Sequence, residues 1–435
     1  MPTALSCLLS FIAMTPVVLF VDGPLTLGFG CAILACALIV FAQTQRPGEL
    51  AHLSTLVRPI AFIVVLPALL MVLQTVPLPF FSRFANPIWE SASTALGRSL
   101  MPSLSIDIGT TLLSLCRYLA WLGVGLLAAA TTIDRQRAEW VLFAVTAATV
   151  LIAALLILND AAGSTLLAEA QNAARRGEAL DAAALGVVLS VACADRAYER
   201  FETRRSSHPR SGPRLVRNFL LCVMAFIICA GAVAQAHSAN SLFAAAIGLV
   251  ILPGVIMIRR FGFVLGGACS VALIGCVLAV AFFGEGSSQN GLDFSIRFAP
   301  KSVSSSAMAQ RLLADSTLIG TGAGTYHDLV PIYRDPNEST GNEYPPTAAG
   351  QFSVEWGRPL FWAGVILAIV LIVKLVRAGL NRGRDSFYPA AGASALAVLL
   401  ISAFGNPGLT GATTLILSGA VLGLALAQSR SRAVQ

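Results

Sequence analysis

The sequence predicts an all-α polytopic membrane protein with about twelve transmembrane helices. The chain of 435 residues is 56% hydrophobic and only 12% charged, about half the charged fraction of soluble domains. Its mean hydropathy is +0.77. Twelve apolar runs are each long enough to cross a hydrocarbon core of about 30 Å as a helix. This composition excludes an ordinary cytoplasmic enzyme, a disordered chain and a secreted disulfide scaffold.

The first predicted span is a membrane helix rather than a signal peptide, because no basic side chain precedes it. The sixth predicted span is the weakest candidate for a membrane helix, because it is rich in alanine and contains Asp181. The nine cysteines lie in apolar runs without a CxxC pair, so we expect them to act as small buried hydrophobes. In order, the predicted spans are 4–20, 25–42, 59–76, 110–130, 139–158, 179–194, 215–236, 239–258, 261–283, 353–373, 388–404 and 409–427.

Basic residues set the expected orientation, with both termini cytoplasmic. About two thirds of the 29 lysines and arginines then fall on the cytoplasmic side, many of them in the segment 195–217. Orientation and contact with anionic lipids explain this segment better than nucleic-acid binding, because it lies between two spans and lacks interleaved aromatic residues. One charge, Arg117, falls inside the fourth span, where either a functional role or snorkelling to the interface would account for it.

Three longer segments are expected outside the membrane: 77–109, 159–178 and 284–352. The last lies between the ninth and tenth spans and contains a helix-like stretch over 304–315. Long loops in compact proteins usually carry function or are disordered. Because this loop mixes glycine, proline, aromatic and charged residues, we expect an ordered extracytoplasmic subdomain over 284–352, inserted in a single membrane domain of residues 1–435.

Side chains capable of chemistry concentrate in this loop. Arginine matches phosphate oxygens with two parallel N–H bonds, so the loop bases could hold an anionic lipid-linked substrate. The alternative is that they are solvated charges balanced by loop acids. The glycine-rich run at 320–325 lacks the P-loop lysine and the GxGxxG spacing, which favours a turn. No metal-ligand motif is present, so no metal or other cofactor is expected. The candidates are Arg297, Lys301, Arg311, Tyr326, His327, Asp328, Tyr333, Arg334, Asp335, Glu338, Glu343 and Tyr344.

Several motifs occur in an order that indicates a family resemblance. Residues 312–334 read LLADSTLIGTGAGTYHDLVPIYR, and residues 355–361 read EWGRPLF. Upstream lie the polar residue Gln74 with the following prolines, Trp89, and the segment 103–105. In this order they resemble the O-antigen ligase and O-antigen polymerase (Wzy-like) superfamily, whose large periplasmic loop, next helix entry and first external loop carry similar motifs.

The resemblance implies a GT-C-like membrane glycosyltransferase of the bacterial inner membrane. Such a protein transfers a glycan from an undecaprenyl-pyrophosphate carrier to a sugar hydroxyl at the periplasmic face, in O-antigen or exopolysaccharide assembly. The implied partners are the carrier-linked glycan, membrane lipids and other membrane proteins of polysaccharide export, but no nucleic acid. Preorganised arginines would stabilise the leaving pyrophosphate, and a positioned base would activate the hydroxyl.

Carried over by position, the resemblance implies pyrophosphate binding by Arg297 and Arg334, and it places the family's Asn-Arg-rich motif at about residues 172–176, which include Arg176. Arg311, Tyr326 and Tyr333 are the further loop candidates for binding the pyrophosphate or the glycan. The chain departs from the family at the expected base, since Pro346 and Thr347 stand where the family has a His-Asn pair. It also has Ser238-Ala239-Asn240 where the family has a Ser-Arg-Gly motif. The catalytic candidates are therefore His327, Glu343 and Asp328.

Three interpretations of the departure remain open. Another group serves as base, glycosyl transfer proceeds without a strong base, or the chain is a non-catalytic scaffold or accessory subunit for polysaccharide export. A secondary transporter is a further alternative, although the sequence shows no internal repeat and its polar residues lie outside the spans.

Overall fold

The computed structural model describes residues 2–21, 23–44, 47–77, 86, 88–162, 172–205, 212–236, 238–283, 308, 311–333, 345–382 and 385–429. This part of the chain is helical and contains no strand. Its helices are α1 (Pro2–Val18), α2 (Pro24–Thr44), α3 (Pro47–Thr75), α4 (Ile88–Leu96), α5 (Ile108–Thr131), α6 (Arg135–Ala161), α7 (Asn172–Arg205), α8 (Gly212–Gln235), α9 (Ala239–Phe283), α10 (Tyr326–Tyr333), α11 (Ala348–Glu355), α12 (Arg358–Asn381), α13 (Phe387–Ala403) and α14 (Ala412–Ala427).

The helical part has the apolar helices that a polytopic membrane protein needs. Within the described ranges, 7 helices are long and apolar enough to cross a membrane, and four shorter apolar helices accompany them. Their outer faces are hydrophobic, as on α2, where Leu25, Phe29 and Ile33 recur every fourth residue and are exposed. A stripe of this kind faces lipid rather than water. The predicted all-helical membrane class is therefore confirmed.

The helix predicted from the weakest span lies at the centre of the bundle. In α7, 89% of the apolar window within Ala174–Arg200 is buried, and α6, α8, α9 and α13 pack around it. Small alanine side chains let neighbouring helices approach closely. The low hydropathy of this segment reflects contact with other helices rather than with lipid.

The boundary predicted between the spans 239–258 and 261–283 corresponds to a break within α9. Gly262 has φ 81° and ψ 170°, so the helix that begins at Ala239 ends there and a second helical segment follows. Val255 and Leu252 of the first segment pack in the main core.

The bundle has two polar ends, which we name by their residues. The glycine-turn end contains residues 320–325, α11 and the short turn Gly408–Thr410. The arginine-rich end contains the last turns of α5 and α7 and the first turns of α6 and α13. There Arg135 pairs with Asp385 at 2.8 Å, and Arg260 pairs with Asp195 at 3.1 Å. Arginines that the sequence indicates as orientation signals thus also bind acids of neighbouring helices.

Candidate functional site

The candidate site is built around residues 320–325, which we call the glycine turn. Gly320, Gly322 and Gly324 have φ angles of 84°, 113° and 84°, in a region where a Cβ atom is disfavoured. The Thr325 N–H donates to the Gly322 carbonyl at 3.3 Å. The prediction of a turn in this run is therefore confirmed.

Gly320 lies directly against the junction of α11 and α12. A Cβ atom on Gly320 would lie 2.2 Å from the carbonyl oxygen of Glu355, and one on Gly357 would lie 2.0 Å from that of Leu318. Backbone atoms cannot move aside as a flexible side chain can. The glycines therefore permit a close backbone contact between the loop and the start of α12.

Gln74 holds this contact from the end of α3. Its Nε2 donates to the carbonyl oxygens of Ile319 and Glu355, both at 3.1 Å, and its Oε1 accepts from the Ala323 N–H at 3.1 Å. The side chain is 0% exposed. Because a buried amide without partners is costly, these three bonds fix α3, the glycine turn and α11 together.

The segment before α5 packs on the other side of the glycine turn. The Ile106 N–H donates to the Thr321 carbonyl at 3.0 Å, and the Ser105 N–H donates to the Gln74 carbonyl at 3.1 Å. The Trp89 indole N–H donates to the Ser105 carbonyl at 3.0 Å. The motifs that resemble the family's first external loop and large loop are thus in direct contact.

Glu355 is the buried acid of the site. Its Oε1 accepts from Gln351 Nε2 at 2.9 Å and lies 3.4 Å from the Tyr326 N–H. Burial raises the pKa of its carboxyl to about 7, although hydrogen bonds from Gly324, Gln351 and Tyr326 and the positive charge of Arg117 act to lower it. A carboxyl near neutrality can hold or release a proton at physiological pH. It lies beneath the glycine turn, shielded from solvent.

The accessible side chains of the site lie on α10 and beside it. His327 and Asp328 are exposed at the start of this helix. Partial burial and the nearby charge of Asp107 raise the pKa of the Asp328 carboxyl, while His327 acts to lower it. Hydrogen bonds from Thr110 and backbone groups instead lower the pKa of Asp107, the N-cap of α5. The three groups therefore form one charged cluster.

A second group of predicted residues, Arg311 and Tyr333, lies on either side of His327 and Asp328 in the same loop. Residues 311–315 are helical, and Arg311 is exposed there. Partial burial and Asp315 raise the pKa of the Tyr333 hydroxyl. Tyr326, in contrast, is buried with Leu312 and Val354 in a small core under the loop, so it supports the site from within and offers no surface to a substrate.

Two further acids are buried at the same end of the bundle. Asn406 Nδ2 donates to Asp181 Oδ1 at 2.9 Å, and Glu178 Oε2 accepts from the Thr413 N–H at 3.2 Å. The Asn406 carbonyl accepts from the Ala348 N–H at 3.0 Å, which joins this cluster to α11. Acids within a helix bundle face partners rather than lipid.

The positions that depart from the family motifs have structural partners. Thr347, at the place of the asparagine in the family's His-Asn pair, is the N-cap of α11, and its Oγ1 accepts from the Gly350 N–H at 3.1 Å. Ser238 Oγ accepts from the Ser241 N–H at 3.4 Å and from the Ser241 hydroxyl at 3.1 Å at the start of α9, as an N-cap side chain does.

The remaining predicted site residues are not brought to the glycine turn by the described structure. Arg297, Arg334 and Glu343 lie outside the described residues. Arg176, at the start of α7, binds Asp160 of α6 at 3.1 Å.

Glu355 and Gln74 were not selected as functional residues from sequence, although both stand in the quoted motifs. The available signal was a single polar side chain at the edge of an apolar run. Asp181 carried a similar signal inside the weakest span. Among the described residues, no group of three or more His, Cys, Asp or Glu side chains could hold a metal ion.

Comparison with protein-family models and a search of curated proteins give no match to this chain. The resemblance to the O-antigen ligase and polymerase superfamily therefore stays a prediction from the motifs and their order.

Proposed function

We propose that the chain is a GT-C-like glycosyltransferase of a bacterial inner membrane, with twelve spans and both termini in the cytoplasm. It would act on an undecaprenyl-pyrophosphate-linked glycan, as a polymerase or ligase in surface or exopolysaccharide assembly. The observation that carries this proposal is the convergence of Gln74, the glycine turn and Glu355 beneath the exposed pair His327 and Asp328. The glycine-turn end is the periplasmic end in this proposal, since the opposite end holds most of the arginines.

The proposed reaction is a displacement at the anomeric carbon of the carrier-linked sugar. The acceptor hydroxyl oxygen forms the new glycosidic bond, the bond to the pyrophosphate oxygen breaks, and the hydroxyl proton passes to the base. His327 is the proposed base among the described residues, with Asp328 as its neighbour and Glu343 as the other candidate. Arg311, with Arg297, Arg334 and Arg176, would stabilise the leaving pyrophosphate as its charge develops.

Glu355 and Arg117 would act as positioning residues in this proposal. They lie behind the turn that begins α10, so they set where His327 stands without touching the substrate. The burial of Glu355 supports this division of roles.

A non-catalytic scaffold for polysaccharide export is the second candidate. The observation in its favour is that Pro346 stands where the family has its histidine base, while the next residue, Thr347, caps α11. The glycine turn is also closed by hydrogen bonds, as a structural contact would be.

The test is single substitution in cells whose own copy of the gene is deleted. H327A and R311A are each expected to abolish long-chain polysaccharide and to accumulate the lipid-linked precursor. H327A removes general-base catalysis, which contributes about 10²–10⁴-fold, and R311A removes a charge that stabilises the leaving pyrophosphate. R98A is the matched control, because Arg98 is exposed near the same end but outside the site.

The scaffold predicts a different pattern. Wild-type polymer in both H327A and R311A, at normal membrane levels, together with loss of polymer in a variant that opens the glycine turn, would favour the scaffold and contradict transfer.

A further inference from the structure

A cavity of ≈ 420 Å³ opens at the arginine-rich end between α6, α7 and α8. Its lining includes Glu139, Trp140, Phe143, Arg196, Arg200 and Arg217. This cavity lies at the opposite end of the bundle from the glycine turn, and the proposed transfer reaction does not use it.

The lining carries more positive than negative charge. Arg196 and Arg200 both form ion pairs with Glu139, and the described lining contains three arginines but a single acid, Glu139. Arg217, on α8, is exposed and forms no ion pair with the residues that the structure describes. The cavity therefore attracts an anion.

Arg196 has a donor that needs an acceptor. This side chain is 7% exposed, and its guanidinium lies over the ring of Phe143, with Cζ 4.5 Å from the centroid. Its Nε is buried without a hydrogen-bond partner in the described part of the chain. A buried donor left unpaired is costly, and a phosphate oxygen is a suitable acceptor for arginine.

The surface that continues from the cavity is apolar. Trp140 is 58% exposed at its edge, and Val216, Phe219 and Leu220 are exposed on the first turns of α8 beside Arg217. Tryptophan is enriched where a membrane meets water, and exposed aliphatic residues at this depth contact acyl chains. A soluble anion would gain nothing from these side chains.

We propose that this cavity is a binding site for an anionic membrane lipid. The phosphate of the headgroup would lie among Arg196, Arg200 and Arg217, and the acyl chains would follow the exposed start of α8. Contact between arginines and acidic headgroups at a helix end is favourable where the membrane surface is negative.

The test uses quenching of tryptophan fluorescence by brominated lipids. The purified full-length chain is reconstituted in phosphatidylcholine nanodiscs that contain increasing amounts of phosphatidylglycerol with brominated acyl chains. We expect a saturable quenching component that disappears in W140F, which identifies Trp140 as the reporter. Two controls are run in the same nanodiscs. Brominated phosphatidylcholine replaces the brominated phosphatidylglycerol in one, and millimolar inorganic phosphate is added as a competitor in the other.

The arginine variants then separate the site from general attraction to the membrane. In R217Q the half-saturating lipid fraction is expected to rise roughly tenfold, the loss of about 1.4 kcal/mol of charge-assisted binding. R377Q is the matched control, since Arg377 is exposed at the same end on α12. Three results would each overturn the proposal: equal quenching by brominated phosphatidylcholine, an unchanged half-saturating lipid fraction in R217Q, or displacement of the brominated lipid by inorganic phosphate.

Discussion

Replacing Gly320 with alanine would test the backbone contact on which the candidate site depends. Gly320 has φ 84°, and an added Cβ atom would lie 2.2 Å from the Glu355 carbonyl oxygen and 2.8 Å from the Gly357 nitrogen. The left-handed conformation costs alanine about 1 kcal/mol, and overpacking against backbone adds about 1–3 kcal/mol. G320A is therefore expected to lower the free energy of unfolding by about 2–4 kcal/mol.

The matched control is G97A, which separates the conformational cost from the steric cost. Gly97 has φ 63°, but an added Cβ atom there has nothing within 4 Å. The expected decrease in the free energy of unfolding for G97A is only the conformational cost, about 1 kcal/mol. Both variants are purified in mixed micelles and unfolded by SDS titration, with helical circular dichroism as the signal. Equal losses in G320A and G97A would refute the close contact between the glycine turn and α11.

Two further predictions concern the side chains behind the turn. Since the pKa of Glu355 is raised to about 7, the wild type is expected to lose stability as pH rises from about 4.5 to about 7, at about 1.4 kcal/mol for each unit between the folded and unfolded pKa. In E355Q this contribution should be lost, so the decrease in stability over that pH range should be smaller than in the wild type in urea or SDS titrations, and an unchanged decrease would contradict the assignment. Q74L removes three hydrogen bonds, two of them to the Ile319 carbonyl and the Ala323 N–H, and should lower the free energy of unfolding by about 2–4 kcal/mol. T75V changes the neighbouring residue and should alter the free energy of unfolding by no more than about 0.5 kcal/mol. Similar losses of stability in Q74L and T75V would argue against the bridging role of Gln74.

Local sequence features were sufficient for the helical class and for the turn. A run of about twenty apolar residues satisfies its backbone within one helix and its side chains in lipid, so hydropathy predicts it without knowledge of its neighbours. The glycine turn could also be predicted, because a run with glycine at every second position favours backbone conformations that other residues avoid. The breaks near Gly262 and Gly357 fall close to the predicted span boundaries for the same reason.

The candidate site was predicted only in part, because its contacts join distant segments. Gln74 binds carbonyl groups 245 and 281 positions further along the chain, and no local pattern encodes such a pairing. Burial likewise depends on the neighbours, so Tyr326 and His327 are adjacent in sequence while one is buried and the other exposed.

The sequence by itself determined that this is a helical membrane protein with a polar loop before α12, since both properties follow from the local balance of apolar and polar residues. Only the tertiary structure decided which polar residues meet. It placed α7, the least hydropathic of the 7 candidate membrane helices in the described ranges, at the centre, because helix contacts rather than lipid surround it. It also brought Glu355 beneath the glycine turn. Because glycine has no Cβ atom, the backbone at Gly320 and the backbone at Gly357 can approach more closely than other residues would allow.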